Sequence, residues 1–303
     1  MNIALVLVCA MLLDAALGEP RWLWSRVPHP AVLMGRLIGW LDRSFNIGTE
    51  RRAKGVACLS AAVALAVMLG IAIGALGPVA EIIVAAILLA QRSLVEHVTA
   101  VADGLCRSVA DGRTAVAMIV SRDTSDMDES QTARAAIESA AENLSDGVIA
   151  PAFWLLIGGL PGLLAYKMVN TADSMIGYRT PRHEAFGWAA ARTDDLLNLV
   201  PARLTAALIA LPAKQFDAAA LRADAGLHRS PNAGWPEAAM SRALGIALSG
   251  PRTYNGRLQD FPWVNAAGRR NLTAVDIDET IVMLWKAWAL MLVVSALFGM
   301  LFL

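Results

Sequence analysis

The sequence predicts an all-α, polytopic integral membrane protein with a broken or re-entrant helical hairpin and cytoplasmic polar helical loops. Of its 303 residues, 56% are hydrophobic and only 17% are charged, whereas charged residues make up about a quarter of a soluble domain. Two long runs, residues 55–80 and 147–166, contain no charged residue. No alternation of apolar and polar residues is sustained along the chain, so helices are expected to form these runs.

A helix needs about 20 apolar residues to cross the hydrocarbon core of a membrane. The predicted spans are residues 2–17, 55–77, 79–91, 147–169, 199–213 and 281–303. We interpret the first as a retained span rather than a signal peptide, because no Lys or Arg precedes it and Asp14 interrupts its end. Run 199–213 is weak because it contains Arg203. None of the polar stretches has the pattern of a separate soluble core, so we expect one membrane-embedded domain.

The run at 147–169 contains the sequence IGGLPG, with three glycines and Pro161 within five positions, which would break a helix. The run is therefore either a kinked span or a hairpin that returns to the side from which it came. We favour the hairpin, because a single crossing would separate the acidic stretch before it from the polar stretch after it.

Composition excludes several classes of function. The formal net charge is zero, so nothing indicates a nucleic-acid partner. The three cysteines are isolated and form no zinc or disulfide pattern. The sequence contains none of the phosphate-loop, dinucleotide-binding, HExxH or GxSxG motifs. The stretch at 18–54 is rich in Arg and Lys, which predicts that it is cytoplasmic.

An acidic helix is predicted between residues 129 and 146. Arg134, Glu138 and Glu142 follow one another at intervals of four residues and share a helix face, which leads to Asp146. A solvated helix with an Arg–Glu pair is one interpretation. The other is a Mg²⁺ site, since Mg²⁺ takes one or two carboxylates together with phosphate oxygens and water.

The stretch YKMVNTADSMIGYR, residues 166–179, places polar groups directly after an apolar run. Membrane anchoring accounts for Lys167 and Tyr178. It does not account for Asn170 or Asp173, and an ionisable group at membrane depth indicates a functional site.

Two further stretches are candidates for binding. Asp194 and Asn198 lie four residues apart in ARTDDLLNLVPARLT, where an ordinary helical turn is the alternative. Ser230 and Asn232 lie in a turn-forming loop before a helix, and helix N-termini bind anions. A plain helix–turn–helix connection fits that loop equally well.

Several long motifs carry a resemblance to a known family. In order, they are LDxxxGEP, HP and MGRLI near the start, then DESQTARAAIESAAENLSDGVIAP, YKMVNTADSMIGYR, FGWAAARTDDLLNLVPARLT and SPNAGWPEAAMSRALG. Together they resemble the adenosylcobinamide-phosphate synthase family of cobalamin biosynthesis, the membrane proteins CobD and CbiB. The resemblance covers about residues 10–260, with Glu19 standing where Asp is expected.

The resemblance implies an ATP-dependent amide ligation with Mg²⁺. A carboxylate of adenosylcobyric acid would be joined to the amine of aminopropanol phosphate, or of ethanolamine or its phosphate. The candidate catalytic residues are Asp173, Asp194, Lys167 and Glu142. The candidate substrate- and phosphate-binding residues are Asn170, Ser174, Arg179, Arg192, Asn198, Ser230, Asn232 and His29. The candidate Mg²⁺ ligands are Glu138, Glu142 and Asp146.

The resemblance also implies a bacterial inner-membrane protein whose active site faces the cytoplasm. The lipid bilayer is an expected partner, and other membrane-bound enzymes of the late cobalamin pathway are further candidates. Two alternatives remain at this point: a membrane sensor of the AmpE type, and a transporter with its substrate site at the broken helix.

Overall fold

The computed structural model describes residues 2–213, 217–254 and 257–301. Helices dominate it, which confirms the predicted all-α fold class. The helices are α1 (Ile3–Leu17), α2 (Arg21–Trp24), α3 (Pro30–Phe45), α4 (Arg51–Gly74), α5 (Pro78–Leu88), α6 (Gln91–Arg107), α7 (Val109–Val116), α8 (Glu129–Leu144), α9 (Ala150–Ile176), α10 (Trp188–Leu197), α11 (Leu199–Ala213), α12 (Ala218–Ala225), α13 (Gly234–Leu244) and α14 (Ala274–Leu301). A π-helical turn, Ser145–Ile149, joins α8 to α9.

Within the described ranges, four helical segments are long and apolar enough to cross a membrane. They are Arg51–Gly74, Pro78–Arg107, Glu129–Ile176 and Ala274–Met300. The pair α10 and α11, bent by 45°, is a fifth candidate, and α1 is a shorter apolar helix. These segments support a multi-pass membrane protein and coincide with the apolar runs of the sequence.

The chain divides into two compact units. The first unit comprises Met1–Ala90, Ala150–Leu199 and Val294–Leu303. The second unit comprises Gln91–Ile149 and Val200–Val293.

In the first unit, α9 is broken at Gly159, whose φ of 61° and ψ of −161° leave the helical region. Glycine adopts this positive φ without the steric penalty of a side chain. A Cβ on Gly162 would lie 2.6 Å from the carbonyl oxygen of Trp154. Residues eight apart on a straight helix are separated by about 12 Å, so the chain folds back on itself here. The geometry is that of a hairpin rather than a straight span, and Pro161 is tolerated at the start of its second arm.

Small residues bring the helices of the first unit into close contact. A Cβ on Gly70 of α4 would lie 2.5 Å from the Cα of Pro161, and one on Gly55 would lie 1.9 Å from the carbonyl oxygen of Phe186. The side chain of Asn2 caps α1 by accepting a hydrogen bond from the Ala4 amide, and it donates to the carbonyl of Gly299 at 3.1 Å.

In the second unit, α8 is the central helix and packs against α6, α7 and α13. It begins with a capping box formed by Asp128 and Gln131. Its residues from Thr132 to Ala141 are all buried, so the solvated helix considered above is wrong. The abundance of alanine on α8 explains this burial, because small side chains allow neighbouring backbones to approach closely.

The second unit also contains two short antiparallel strand pairs that the sequence does not predict. Strand β1 (Leu248–Ser249) pairs with β4 (Trp263–Val264), and β2 (Arg252–Tyr254) pairs with β3 (Arg257–Gln259). Strands of two or three residues are too short to show an alternating pattern.

Candidate active site

The first unit contains a buried cluster of amides around one carboxylate. Asn170 of α9 donates to Asp194 Oδ1 at 3.3 Å, and Asn198 donates to Asp194 Oδ2 at 3.0 Å. The hydroxyl of Tyr166 donates to Asn198 Oδ1 at 3.0 Å. Asp194 and Asn198 are both buried. The structure thus brings together three of the predicted site residues and adds Tyr166, which the sequence analysis treats only as the end of an apolar run.

The break between α10 and α11 explains why Asn198 reaches this cluster. Asn198 is the C-cap of α10, and its amide N–H donates to the carbonyl of Asp194. The indole of Trp154 donates to the carbonyl of Leu197 at 3.2 Å. Both arms of the α9 hairpin therefore hold this turn, one through Trp154 and the other through Tyr166.

The remaining predicted residues of the first unit are placed around α9 and α10. Lys167 and Asp173 are partly buried, and Asp173 lies against the backbone of Gly177, where a Cβ would be 2.0 Å from its Oδ1. Ser174 donates to the carbonyl of Asn170 within its own helix. Arg179 is exposed, and Arg192 is exposed and pairs with Asp195 at 3.2 Å.

His29 has a structural role in the first unit. It caps α3, with Nδ1 accepting from the Ala31 amide at 3.2 Å. Because Nδ1 accepts, the ring proton is on Nε2, which donates to the carbonyl of Ile87 at 3.1 Å. Both nitrogens are engaged by the backbone, so the predicted phosphate contact would require one of these hydrogen bonds to break.

The first unit also contains a second polar cluster, centred on Asp42, which is not predicted from the sequence. Arg182 donates to Asp42 Oδ2 through Nη2 at 2.6 Å and Nε at 3.2 Å, and Asn46 donates to Oδ1 at 2.8 Å. Burial opposes ionisation of Asp42, but the hydrogen bonds from Arg182 and Asn46 outweigh it and lower its pKa. The cluster fastens the segment after α9 to α3. An acidic residue four positions before an Asn is the only signal of it in the sequence.

The second unit contains a buried ion-pair network around Glu138. Arg122 donates to Oε2 at 2.6 Å, and Arg252 contacts Oε1 at 3.3 Å. The Ser249 amide also donates to Oε1, at 2.7 Å. The side chain of Glu138 is only 6% exposed. Paired, hydrogen-bonded charges of this kind are the form in which proteins tolerate buried ions.

Arg134 does not form the helical ion pair with Glu138 that their spacing suggests. It donates instead to the carbonyl of Arg270 at 2.6 Å and to Ser130 Oγ at 3.3 Å. Its guanidinium also lies 4.8 Å from the centre of the Trp263 ring, a cation–π distance. Arg122, Arg252 and Ser249 already contact the two carboxylate oxygens of Glu138. This explains why Arg134 does not form the ion pair that the spacing predicts.

Glu237, on the first turn of α13, is a second buried carboxyl group that the sequence analysis does not identify. It is only 3% exposed, and its Oε2 accepts no hydrogen bond within the described residues. Burial, together with the negative charges of Glu138 and Glu142, raises the pKa of Glu237 well above its usual 4.5. Folding therefore favours the protonated form of this carboxyl group.

His228 lies beside this carboxyl group, with Nε2 3.7 Å from Glu237 Oε1. Burial lowers the pKa of His228. Its Nδ1 accepts from the Ser230 amide at 3.0 Å, which places the ring proton on Nε2. Burial thus favours the neutral form of both members of this pair.

The loop that contains Ser230 and Asn232 leads into α13, as the sequence predicts. Ser230 Oγ accepts from the amides of Asn232 and Ala233, at 3.2 and 3.3 Å. Asn232 is buried and accepts from Arg203 at 3.4 Å. The serine thus satisfies amides that an incoming anion would otherwise use.

The predicted Mg²⁺ ligands fit the ion only in part. No three His, Cys, Asp or Glu side chains in the described residues form a group that could hold a metal ion. Glu138 is occupied by arginines. Glu142 is exposed and Asp146 is partly exposed. A Mg²⁺ ion bound in proteins takes one or two carboxylates together with phosphate oxygens and water, which is the number of ligands that Glu142 and Asp146 offer.

Comparison with known proteins identifies the family. The model of the family described as CobD/Cbib protein matches residues 7–284. A protein of Rhizobium meliloti (strain 1021) named "Cobalamin biosynthesis protein CobD" is 49% identical, over 96% of this chain and 95% of its own. Proteins of the same name from Sinorhizobium fredii and Rhodobacter capsulatus are 48% and 49% identical, over 97% and 88% of this chain and 96% and 88% of theirs. No solved structure matches the chain. The chain belongs to the CobD/CbiB family.

Proposed function

We propose that the protein acts in cobalamin biosynthesis as an ATP-dependent amide synthase. It would join a carboxylate of adenosylcobyric acid to the amine of aminopropanol phosphate, or of ethanolamine or its phosphate. The observation that carries the proposal is the family match across residues 7–284, with relatives named for cobalamin biosynthesis. Each unit carries polar groups that suit part of this chemistry.

Amide formation requires an activated carboxylate, for which an acyl phosphate formed with ATP is the proposed intermediate. Guanidinium groups would offset the charge of the transferring phosphoryl group. Mg²⁺ bound through Glu142 and Asp146 would neutralise phosphate charge when present. Lys167 and Arg179 remain candidates for contacts to phosphate oxygens.

The amine must lose a proton as it attacks, and Asp194 is the best-placed base in the first unit. Neutral amides from Asn170 and Asn198 hold its two oxygens. Within the described residues no Arg or Lys forms an ion pair with it, so its charge is not neutralised by a cation. Asp173, further along α9, is the alternative base.

The proposed function also implies a location in the cell. The apolar helices indicate a multi-pass membrane protein. We propose the bacterial inner membrane, with the active site facing the cytoplasm, where ATP and the corrinoid are available. Other membrane-bound enzymes of the late cobalamin pathway are proposed as partners.

The direct test is turnover by the purified full-length protein in detergent. Adenosylcobyric acid, aminopropanol phosphate, ATP and Mg²⁺ should yield the amide by mass spectrometry, with ATP consumed. Asp173→Asn and Glu142→Gln are each expected to reduce turnover about 10²-fold, equivalent to about 3 kcal/mol of transition-state stabilisation. The exposed Glu184→Gln serves as the control and should retain the rate of the unmodified protein. Absence of product from folded protein with any of the amines would contradict the proposal and favour a sensor.

A further inference from the structure

A cleft in the second unit is lined by three arginines that reach it from different segments. Arg134 comes from α8, Arg252 from β2, and Arg122 from the loop before α8. The other lining residues are Asp123, Asp126, Met127, Gln131, Ser249 and Pro251. We call this feature the arginine cleft.

The arginine cleft contains more buried positive than negative charge. The side chains of Arg122 and Arg252 are 9% and 15% exposed, and Arg134 is 8% exposed. Glu138 is the carboxylate that pairs with Arg122 and Arg252. The two aspartates on the cleft are exposed to solvent, and Asp123 accepts hydrogen bonds from the amide and hydroxyl of Ser125.

Arg134 is attracted by the charges of Glu138 and Asp128 but forms an ion pair with neither within the described residues. Within the described residues no carboxylate lies within ion-pair distance of it, and its buried Nε donates no hydrogen bond. Its other contacts are a carbonyl, a hydroxyl and the Trp263 ring. A buried cation that no carboxylate contacts directly is costly, and an anion bound in the cleft would lower that cost.

We propose that the arginine cleft binds the phosphate group of a substrate. This inference rests on the proposed function, since it selects between two phosphates of the same reaction: the terminal phosphate of ATP and the phosphate ester of the amino alcohol. A phosphate carries nearly two negative charges and three acceptor oxygens, which match the excess of guanidinium groups. Arginine presents paired donors that suit phosphate oxygens.

Binding to the full-length protein in detergent tests the proposal by isothermal titration calorimetry. One series uses aminopropanol phosphate and the other uses a Mg²⁺ complex of a non-hydrolysable ATP analogue. Arg134→Gln is expected to reduce the affinity for one of the two ligands at least tenfold. The ligand whose affinity falls carries the phosphate group that the cleft binds. Arg242→Gln is the matched control, because it removes a partly buried arginine that pairs with Asp224 outside the cleft. It should change neither affinity more than about twofold.

Gln131→Glu gives a second, independent variant that preserves the fold of α8. Glutamate serves equally well in the capping box with Asp128, and a negative charge is favourable on the first turn of a helix. The variant adds a carboxylate to the cleft and should weaken the same ligand at least tenfold. This readout remains valid if Arg134→Gln fails to fold.

The possible outcomes separate this proposal from the proposed function. Unchanged affinity for both ligands in Gln131→Glu and folded Arg134→Gln would overturn the assignment of the cleft, as would the absence of binding to the unmodified protein. If the unmodified protein still produced the amide, the proposed function would stand. Conversely, loss of phosphate binding in these variants without amide formation by the unmodified protein would support the cleft and reject the synthase.

Discussion

Glu237 provides the sharpest test of the contacts described in the second unit, because its raised pKa makes the stability of the protein depend on pH. Its carboxyl group is buried and faces Glu138, Glu142 and His228, while Arg122 and Arg252 partly offset the two negative charges. The raised pKa means that folding favours the protonated form. Stability from this group is therefore complete below pH 4.5 and is lost as pH rises through the folded-state pKa.

Glu237→Gln imitates the protonated carboxyl group and removes this dependence. Between pH 4.5 and the folded-state pKa, the free energy of unfolding of the variant should rise relative to that of the unmodified protein. The difference should grow by about 1.4 kcal/mol for each pH unit. Above the folded-state pKa the difference should become constant. Near pH 4.5 the two proteins should be about equally stable, since both carry a neutral group at this position.

The assay is the apparent melting temperature of the detergent-solubilised protein between pH 4.5 and 9, with EDTA present to exclude effects of Mg²⁺ on Glu142. The exposed Glu184→Gln is the control, and its curve should run parallel to that of the unmodified protein. Parallel curves for Glu237→Gln and the unmodified protein would refute the reasoning, because they would show that folding does not favour protonation of Glu237.

Three further predictions concern the remaining contacts. Gly70→Val should destabilise the first unit by about 1–3 kcal/mol, because its Cβ would lie 2.5 Å from Pro161; Gly158→Ala, where no atom lies within 4 Å, should melt near the unmodified protein. Arg182→Gln should cost about 1 kcal/mol and expose the segment after α9 to limited proteolysis, whereas unchanged digestion would exclude a fastening role for Asp42. Glu138→Gln should cost about 3–5 kcal/mol, measured as a lower melting temperature, and a fully stable variant would contradict the network around Arg122 and Arg252.

The sequence predicts the parts of the fold that depend on local apolar content. Runs without charge identify the long helices, and the Gly–Pro sequence at 158–162 predicts the break in α9. The units themselves are not predictable in this way, because residues from distant parts of the chain form each of them. The strand pairs are not predictable either, because strands of two or three residues are too short to show an alternating pattern.

The candidate site shows the same division between local and distant information. Spacing along one helix correctly groups Asp194 with Asn198, and Asn170 joins them through the fold. The same spacing rule predicts an ion pair between Arg134 and Glu138. The structure does not contain this ion pair within the described residues. Interactions at four-residue spacing stabilise a helix by only about 0.2–0.5 kcal/mol. Two guanidinium groups and an amide that converge on a buried carboxylate stabilise it more than one helical neighbour does. Glu138 therefore contacts Arg122 and Arg252 instead of Arg134.

Glu138 and Glu142 therefore require different interpretations, although they share one helix face. Glu138 is buried and neutralises two arginines, so its removal leaves those cations unpaired and weakens the fold. Glu142 is exposed to solvent. Loss of turnover in a Glu138 variant thus does not identify a metal ligand, because unfolding alone explains it. Loss of turnover in Glu142→Gln at unchanged melting temperature, with a raised requirement for Mg²⁺, is the combination that assigns the ion to this helix.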